Sequence, residues 1–510
     1  MDWLNILQTY INWKSGIGEN GVTLLIIVYA LNLIIGEKIM DSSSGLIVLA
    51  VYGLFAFAMT YWYARGYNNN KEGFLVAKRE LGTFQGSLSI SAAWLWAPGL
   101  FISAQQAYVN GLAGLFWFCL GNFLTLGAFA WFARNLRDKE PNGFTFSGYL
   151  KEKFSGRVQN LFLVEMMILA VCAFAINLIA GSKTVEVLTG LDAGWTSLLM
   201  VLVAILYSFR AGLKATVITE VIKIIVVWTG AVVLVPWVII NAGGWDTVVA
   251  GMDGIKNPSW VSVFLGFGAA AFLGHMGGPW GDNSFYQRAF SIKKKSIIPS
   301  FVIASFVFIV IPIMMGLLGF VAAGSGMQID NVGVTNAIVI AEFLPMGASI
   351  FFMFMVFAGL VAILDSQFAS VANMTGHDIY NKFRYNSWNM PDSEIKWARW
   401  GMLLLAAVAL GISHIPGIEL MHLFLFFAVL RASVWLPSML SFLKPDLINE
   451  KGMFWGILIC ATAGEILFVS GKLGFSDTAF LGTMVAVFGS PLLAILISKK
   501  PDMISTEIQP

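Results

Sequence analysis

About fourteen stretches of roughly twenty predominantly apolar residues run along this chain, and that is the length one α-helix needs to cross the hydrocarbon core of a bilayer. They lie near residues 22–40, 44–65, 85–109, 112–134, 159–182, 194–210, 217–241, 262–283, 297–323, 346–372, 396–414, 417–440, 453–471 and 478–498. Only 12% of the 510 residues are charged and 58% are hydrophobic, and mean hydropathy is +0.77, whereas a soluble domain carries about 25% charged residues. In hydrocarbon every backbone N–H and C=O must find its partner within the fold, so runs of this length predict an all-α integral membrane protein with about fourteen transmembrane helices. The lipid bilayer is therefore the expected surrounding, in a cell membrane (plasma or inner).

Loop charge tests the count, because cytoplasmic loops are enriched in Lys and Arg. One set of alternate loops holds Arg65, Lys71, Lys78, Arg79, then Arg134, Arg137, Lys139, Lys151, Lys153, Arg157, then Arg210 and Lys214. The same side continues with Arg288, Lys293, Lys294, Lys295, then Lys382, Arg384, Lys396, Arg399, and Lys444, Lys451, Lys499 and Lys500. The opposite loops carry only Lys38, Lys183, Lys256 and Lys472, and the loop at 324–345 has Asp330 and Glu342 but no base. This alternation predicts a multi-pass chain with both termini in the cytoplasm. Ahead of the spans, Trp3, Leu4, Ile6, Leu7, Tyr10, Ile11 and Trp13 recur at helical spacing, so residues 1–21 read as an interfacial segment or as a cap on the bundle.

Several function classes lack their chemistry. Net charge is +2 with no basic stripe, which gives no nucleic-acid partner. Cys119, Cys172 and Cys460 sit inside apolar runs, away from any disulfide framework or metal-ligand spacing. No GxxxxGK[ST] loop is present for ATP, and Gly266 to Ala271 matches a dinucleotide fingerprint without the strand that motif requires. No catalytic constellation emerges, so the reading is not an enzyme and needs no cofactor.

Two spans are interrupted, one by Trp94-Leu95-Trp96-Ala97-Pro98-Gly99 and the other by the run Gly274 to Asn283, GHMGGPWGDN. The second is the fifth span after the first, an odd offset, so they cross the membrane in opposite directions, as inverted five-helix repeats over 85–241 and 262–440 require. Residues 22–66 and 453–498 are then accessory helices. Glycine- and proline-interrupted helices at matching positions of two halves point to a carrier's binding site, because the unwound turns expose backbone groups at the midplane. The glycine run is expected to be where the second helix unwinds.

The segments GFLVAKRELG from Gly73, AGLKATVITEVIK from Ala211, DNSFYQRAF from Asp282 and DSQFASVANMTGHDIY from Asp365 resemble signatures of the sodium/solute symporter family, in order and spacing, from about residue 44 to 440. Trp94, Trp96, the run AYVNGLAGLFWFCLGN from Ala107 and the early span at 22–40 resemble the plant and fungal high-affinity urea branch. The resemblance implies a five-plus-five inverted-repeat (APC/LeuT-like) core working by alternating access. It also implies a cation-coupled symporter, driven by Na+ or H+, importing a small polar solute such as urea or a urea-like amide. Alternatives that keep the fold are a Na+ symporter for an amino acid or carboxylate, and a passive channel or sensor.

Trp94, Trp96 and Trp280 are then expected as walls of the solute site, with Gln105, Asn122, His275, Asp282, Asn283 and Gln287 around it. The family's sodium position would fall on the carbonyls of Ala92, Leu95 and Gly359 and on the side chains of Ala362 and Ile363. Those two side chains carry no oxygen, while a hard cation wants oxygen ligands. Asp365 and Ser366 follow one turn along the same face, so Asp365 reads as a relocated cation ligand or a proton acceptor. Glu220 and Lys223, three residues apart, are expected to pair with each other. Arg431 has no evident partner along its helix.

Overall fold

The computed structural model describes residues 41–64, 71–209, 213–383, 393–418, 420–472, 474 and 478–499. The expected interfacial segment 1–21 and the span at 22–40 lie outside them. Apart from one isolated bridge, the regular structure of the described residues is helical. Eleven of these helices are long and apolar enough to cross a membrane, against the fourteen expected.

The first helix, α1 (Ser42–Ala64), precedes α2 (Thr83–Trp94) and α3 (Ala97–Lys139). Two predicted spans meet within α3, where Gly111 turns the chain at φ 63° and ψ −149°. A Cβ there would lie 2.3 Å from the carbonyl oxygen of Met252, so only glycine fits. After α4 (Phe146–Lys153), a loop helix, come α5 (Gly156–Thr189), α6 (Ala193–Ser208) and α7 (Leu213–Asn241). With 16 residues, α6 is shorter than the span predicted for it.

In the second half α8 (Ala269–Gly281) is followed by α9 (Asn283–Ser291), α10 (Ile297–Gly324), α11 (Thr335–Phe343) and α12 (Met346–Asn373). The chain continues through α13 (Ser393–Ser413), α14 (Leu420–Leu443), α15 (Glu450–Lys472) and, after a π-helical turn, α16 (Ser490–Ser498). The segment 324–345, read as an open loop, contains α11, and Asn336 of that helix donates 3.0 Å to the Leu100 carbonyl deep in the bundle. At nine residues α11 is too short to register as a span. The firmest packing joins α10 to α3 and α2, α8 to α14 and α3, α15 to α16, and α12 to α7 and α5.

Both breaks are present. α2 ends because Leu95 (φ −82°, ψ 74°) and Trp96 (φ −99°, ψ 171°) leave helical dihedrals, and α3 restarts with Pro98 in its first turn, where the missing N–H costs nothing. The freed N–H of Ala97 is capped by the Asn177 Oδ1 of α5 at 2.9 Å. The second break falls at the end of the expected run, one residue past its last glycine. The helix runs unbroken through the glycines and Pro279 and is interrupted at Asp282 (φ −117°, ψ 111°), whose Oδ1 accepts the Ser284 N–H at 2.8 Å and so starts α9.

The glycines serve close packing instead. A Cβ on Gly274 would lie 2.4 Å from that of Ala428, one on Gly277 would lie 2.7 Å from the Ala432 Cα, and one on Gly278 would lie 2.2 Å from the Trp94 ring. The two broken helices run in opposite directions, since the strand-like pairing of Leu81 with Ile292 joins the start of one to the end of the other. Leu81 N–H donates to the Ser291 carbonyl (3.1 Å) and Lys293 N–H to the Leu81 carbonyl (2.9 Å).

Candidate functional site

The breaks bring two buried clusters together. The first is aromatic. Trp94 and Trp96, on either side of Leu95, have ring centroids 6.4 Å apart, and His275 of α8 stands edge-on to both at 6.1 and 6.4 Å. Phe285 of α9 packs on Trp94 at 5.2 Å, and Phe427 of α14 on Trp96 at 4.9 Å. Asn122 on α3 approaches His275 Nε2 at 3.1 Å while its amide donates to the Phe118 carbonyl at 2.8 Å. Arg431 enters from α14, its guanidinium carbon 5.5 Å from the Trp94 ring, 5.0 Å from Trp96 and 4.6 Å from Phe427. Its partners are therefore aromatic faces, Trp94 and Trp96 at the first break and Phe427 one turn earlier on its own helix.

Asp282, Asn283 and Gln287 line the second break. Asp282 Oδ2 accepts from Gln367 of α12 at 3.0 Å. Asn283 donates to the Ser370 carbonyl at 3.2 Å, and Gln287 to the carbonyls of Leu75 and Ala369 at 2.7 and 3.2 Å. Their side-chain oxygens, with that of Gln367, are buried and have no protein partner, as are the indole nitrogens of Trp94 and Trp96. Trp280 packs elsewhere, with Phe129 at 5.0 Å, Phe132 at 5.8 Å and Trp435 at 6.0 Å, and no ring contact among the described residues links it to Trp94 or Trp96. Gln105 lies on α3 with its side-chain oxygen unpartnered, outside the ring cluster.

The second cluster is ionic and corrects the expected Glu220–Lys223 pair. Lys223 reaches across to Asp365 of α12, whose other oxygen accepts from Ser208 at 2.8 Å. Glu220 takes the guanidinium of Arg288 at 2.5 Å, with Ser89 of α2 and Ser366 of α12 each donating to it at 2.5 Å. Arg288 also donates to Ser89 at 3.1 Å and to the Ser284 carbonyl at 2.9 Å. Four elements, α2, α7, α9 and α12, are thus tied by two buried ion pairs. Arg288, counted above as a loop charge, is fully buried.

At the expected ion position the side chains of Ala362 and Ile363 carry no oxygen. Leu100, Val227 and Leu95 side chains lie beside Gly359, and the Ala362 carbonyl is 2.9 Å from the Ser366 hydroxyl, whose hydrogen it shares with Glu220. The Ala92 carbonyl accepts the Leu95 N–H at 3.2 Å, and Ile363 is buried hydrocarbon. Asp365, one turn along, is bonded to the Lys223 ammonium and the Ser208 hydroxyl. Beside it is a cavity of about 10 Å³, room for roughly one water, lined by Ser208, Thr216 and Asp365 among others.

A membrane bundle with two oppositely directed broken helices meeting at a buried polar and aromatic centre defines a secondary-transporter architecture. The profile of the Sodium:solute symporter family matches residues 74–460. The chain belongs to that family, whose members are transporters and not enzymes.

Among its relatives, the Probable urea active transporter 1 of Schizosaccharomyces pombe (strain 972 / ATCC 24843) is 24% identical over 63% of this chain, and the chain spans only 54% of that relative's length. The Urea-proton symporter DUR3 of Oryza sativa subsp. japonica is 21% identical over 91% of this chain and 70% of its own. The High affinity choline transporter 1 of Homo sapiens is 25% identical over 69% of this chain and 64% of its own. Among solved structures, the outward-open state of a Na+-coupled sialic acid symporter superposes with a TM-score of 0.74 at 13% identity, covering 89% of this chain and 97% of that one; this likeness concerns the fold alone.

Proposed function

We propose that the chain is a secondary active carrier that imports a small polar amide, urea or a urea-like solute, by alternating access, with the proton as coupling ion. The observation that carries the reading is the unspent hydrogen bonding at the two breaks. Three buried amide oxygens, on Asn283, Gln287 and Gln367, and two indole N–H groups, on Trp94 and Trp96, have no protein partner. Urea offers four N–H donors and one carbonyl acceptor, the complement of that set, and a site built to hydrogen-bond its solute discriminates strongly against analogues that lack those groups.

Proton coupling is supported by two features. The sodium position lacks side-chain oxygens at Ala362 and Ile363, and Asp365, a buried carboxylate inside a membrane helix, borders a water-sized cavity. In this reading Gln105 and Asn122 brace the surroundings, and the four elements tied by the ionic cluster move relative to one another during the cycle. The urea transporters among its relatives support the reading.

The test is uptake of labelled urea by purified protein in liposomes. Uptake should saturate and be inhibited by acetamide. Uptake no greater than in protein-free liposomes removes the urea assignment.

A further inference from the structure

We infer that Arg431 determines the charge class of the solute: with Trp94 and Trp96 it presents a fixed row of N–H donors that takes a carbonyl or carboxylate oxygen and excludes cations. The inference rests on the broken-helix centre being the solute site, and it adds a residue and a selection rule to that reading.

Arg431 is 1% exposed and sits midway along a membrane helix. A guanidinium is charged at every accessible pH, carries five N–H donors and accepts nothing. The rings of Trp94, Trp96 and Phe427 engage the guanidinium as a cation, an attraction that holds the group in place without using its N–H bonds. Nε and Nη2 remain without a hydrogen-bond partner, and so do the indole nitrogens of Trp94 and Trp96.

Nearby carboxylate chemistry is committed elsewhere. Asp282 accepts from Gln367 and from the Ser284 N–H, and among the described residues no carboxylate forms a salt bridge with Arg431. The glycines of α8 make the geometry available: a Cβ on Gly278 would stand 3.3 Å from Arg431 Nη1, and one on Gly281 would stand 2.9 Å from the Arg431 Cβ. The guanidinium therefore lies against the turn that precedes Asp282.

A buried cation with unused donors is costly unless an acceptor meets it. A solute oxygen supplies that acceptor, as the carbonyl of an amide or the carboxylate of a small acid. A quaternary ammonium supplies none, and in a low-dielectric site it is repelled.

The experiment measures binding without relying on transport. Purified protein in nanodiscs is titrated with urea, acetamide, acetate and choline at fixed ionic strength, with thermal denaturation and tryptophan fluorescence as readouts, for the wild type, Arg431→Gln and Arg431→Lys. The expected result is that amide and acetate stabilise the wild type and choline does not. Arg431→Gln should bind the oxygen-bearing probes at least about tenfold more weakly, since a hydrogen bond from a charged donor is lost. Arg431→Lys should bind more weakly than wild type and still reject choline.

Choline binding as tight as that of acetate, no binding of any oxygen-bearing probe, or unchanged binding in a folded Arg431→Gln overturns the inference. If Arg431→Gln fails to fold, Arg431→Lys decides, and wild-type affinity in it has the same overturning force. Failure of the urea reading is distinguishable: Arg431-dependent binding of acetate or acetamide without urea uptake removes urea and keeps Arg431, whereas urea uptake with an unchanged KM in Arg431→Gln does the reverse.

Discussion

Glu220→Ala is expected to lower the stability of the folded chain by about 3–5 kcal/mol, the cost of removing one partner from a buried ion pair. Arg288 is fully buried and would keep only the hydroxyls of Ser89 and Ser366 and the Ser284 carbonyl, which are dipoles and not counter-charges. Ser89 and Ser366 would lose the Glu220 carboxylate at the same time, so α2 would lose its polar tie to α7, while α12 would stay joined to α7 through Lys223 and Asp365. Removing the charge altogether should be far milder, because well-packed apolar replacements of buried pairs are commonly neutral. Glu220→Leu combined with Arg288→Met is therefore expected to recover most of the loss. Thermal unfolding in detergent, run as a double-mutant cycle with each single change, checks this. A Glu220→Ala protein as stable as wild type would show that the pair does not hold these helices together.

Gly278→Ala is expected to abolish solute uptake, by far more than its one added methyl suggests. Its Cβ would meet the Trp94 ring at 2.2 Å, well inside contact distance. Trp94 cannot swing away freely, since Phe285 backs it at 5.2 Å, Trp96 at 6.4 Å, and Arg431 lies over its ring. Overpacking of this kind costs about 1–3 kcal/mol in stability, and its geometric consequence falls on the break itself. Gly266→Ala, one π-helical turn before α8, is the matched control: nothing lies within 4 Å of its added Cβ, and activity should be unchanged. Initial rates of uptake, normalised to folded protein recovered by gel filtration, compare the two. Equal rates would mean the Trp94 contact does not shape the site.

Much of this was legible in the residues. Apolar length and loop charge announced a helical membrane bundle, and Pro98 beside two tryptophans marked the first break to within two residues. The second break lies within the run Gly274 to Asn283, but its exact turn was not legible, because the same glycines that permit unwinding also permit close packing. Only the contacts of Gly274 with Ala428 and Gly277 with Ala432 separate the two uses. The Asp282 N-cap was the better signal, a carboxylate two residues before the Ser284 N–H that it caps.

The ion pairs were hidden for a different reason. Glu220 and Lys223 are neighbours along one helix, and spacing alone favours their pairing. Burial reverses this, since each finds a partner on a different helix that must itself be neutralised. Arg288 was obscured by its place at the end of a span, where a base ordinarily marks a loop. The expectation at Ala362 and Ile363 rested on side-chain chemistry alone, since neither residue carries an oxygen.

The central claim, gradient-driven uptake of a small amide without sodium at the family's usual position, is tested most directly in proteoliposomes. Labelled urea uptake is measured under an imposed proton gradient, an imposed sodium gradient and neither, with Asp365→Asn alongside. The account predicts accumulation above the external concentration with the proton gradient alone, and its loss in Asp365→Asn. Accumulation driven by sodium without a proton gradient, or uptake that no gradient drives, would contradict it.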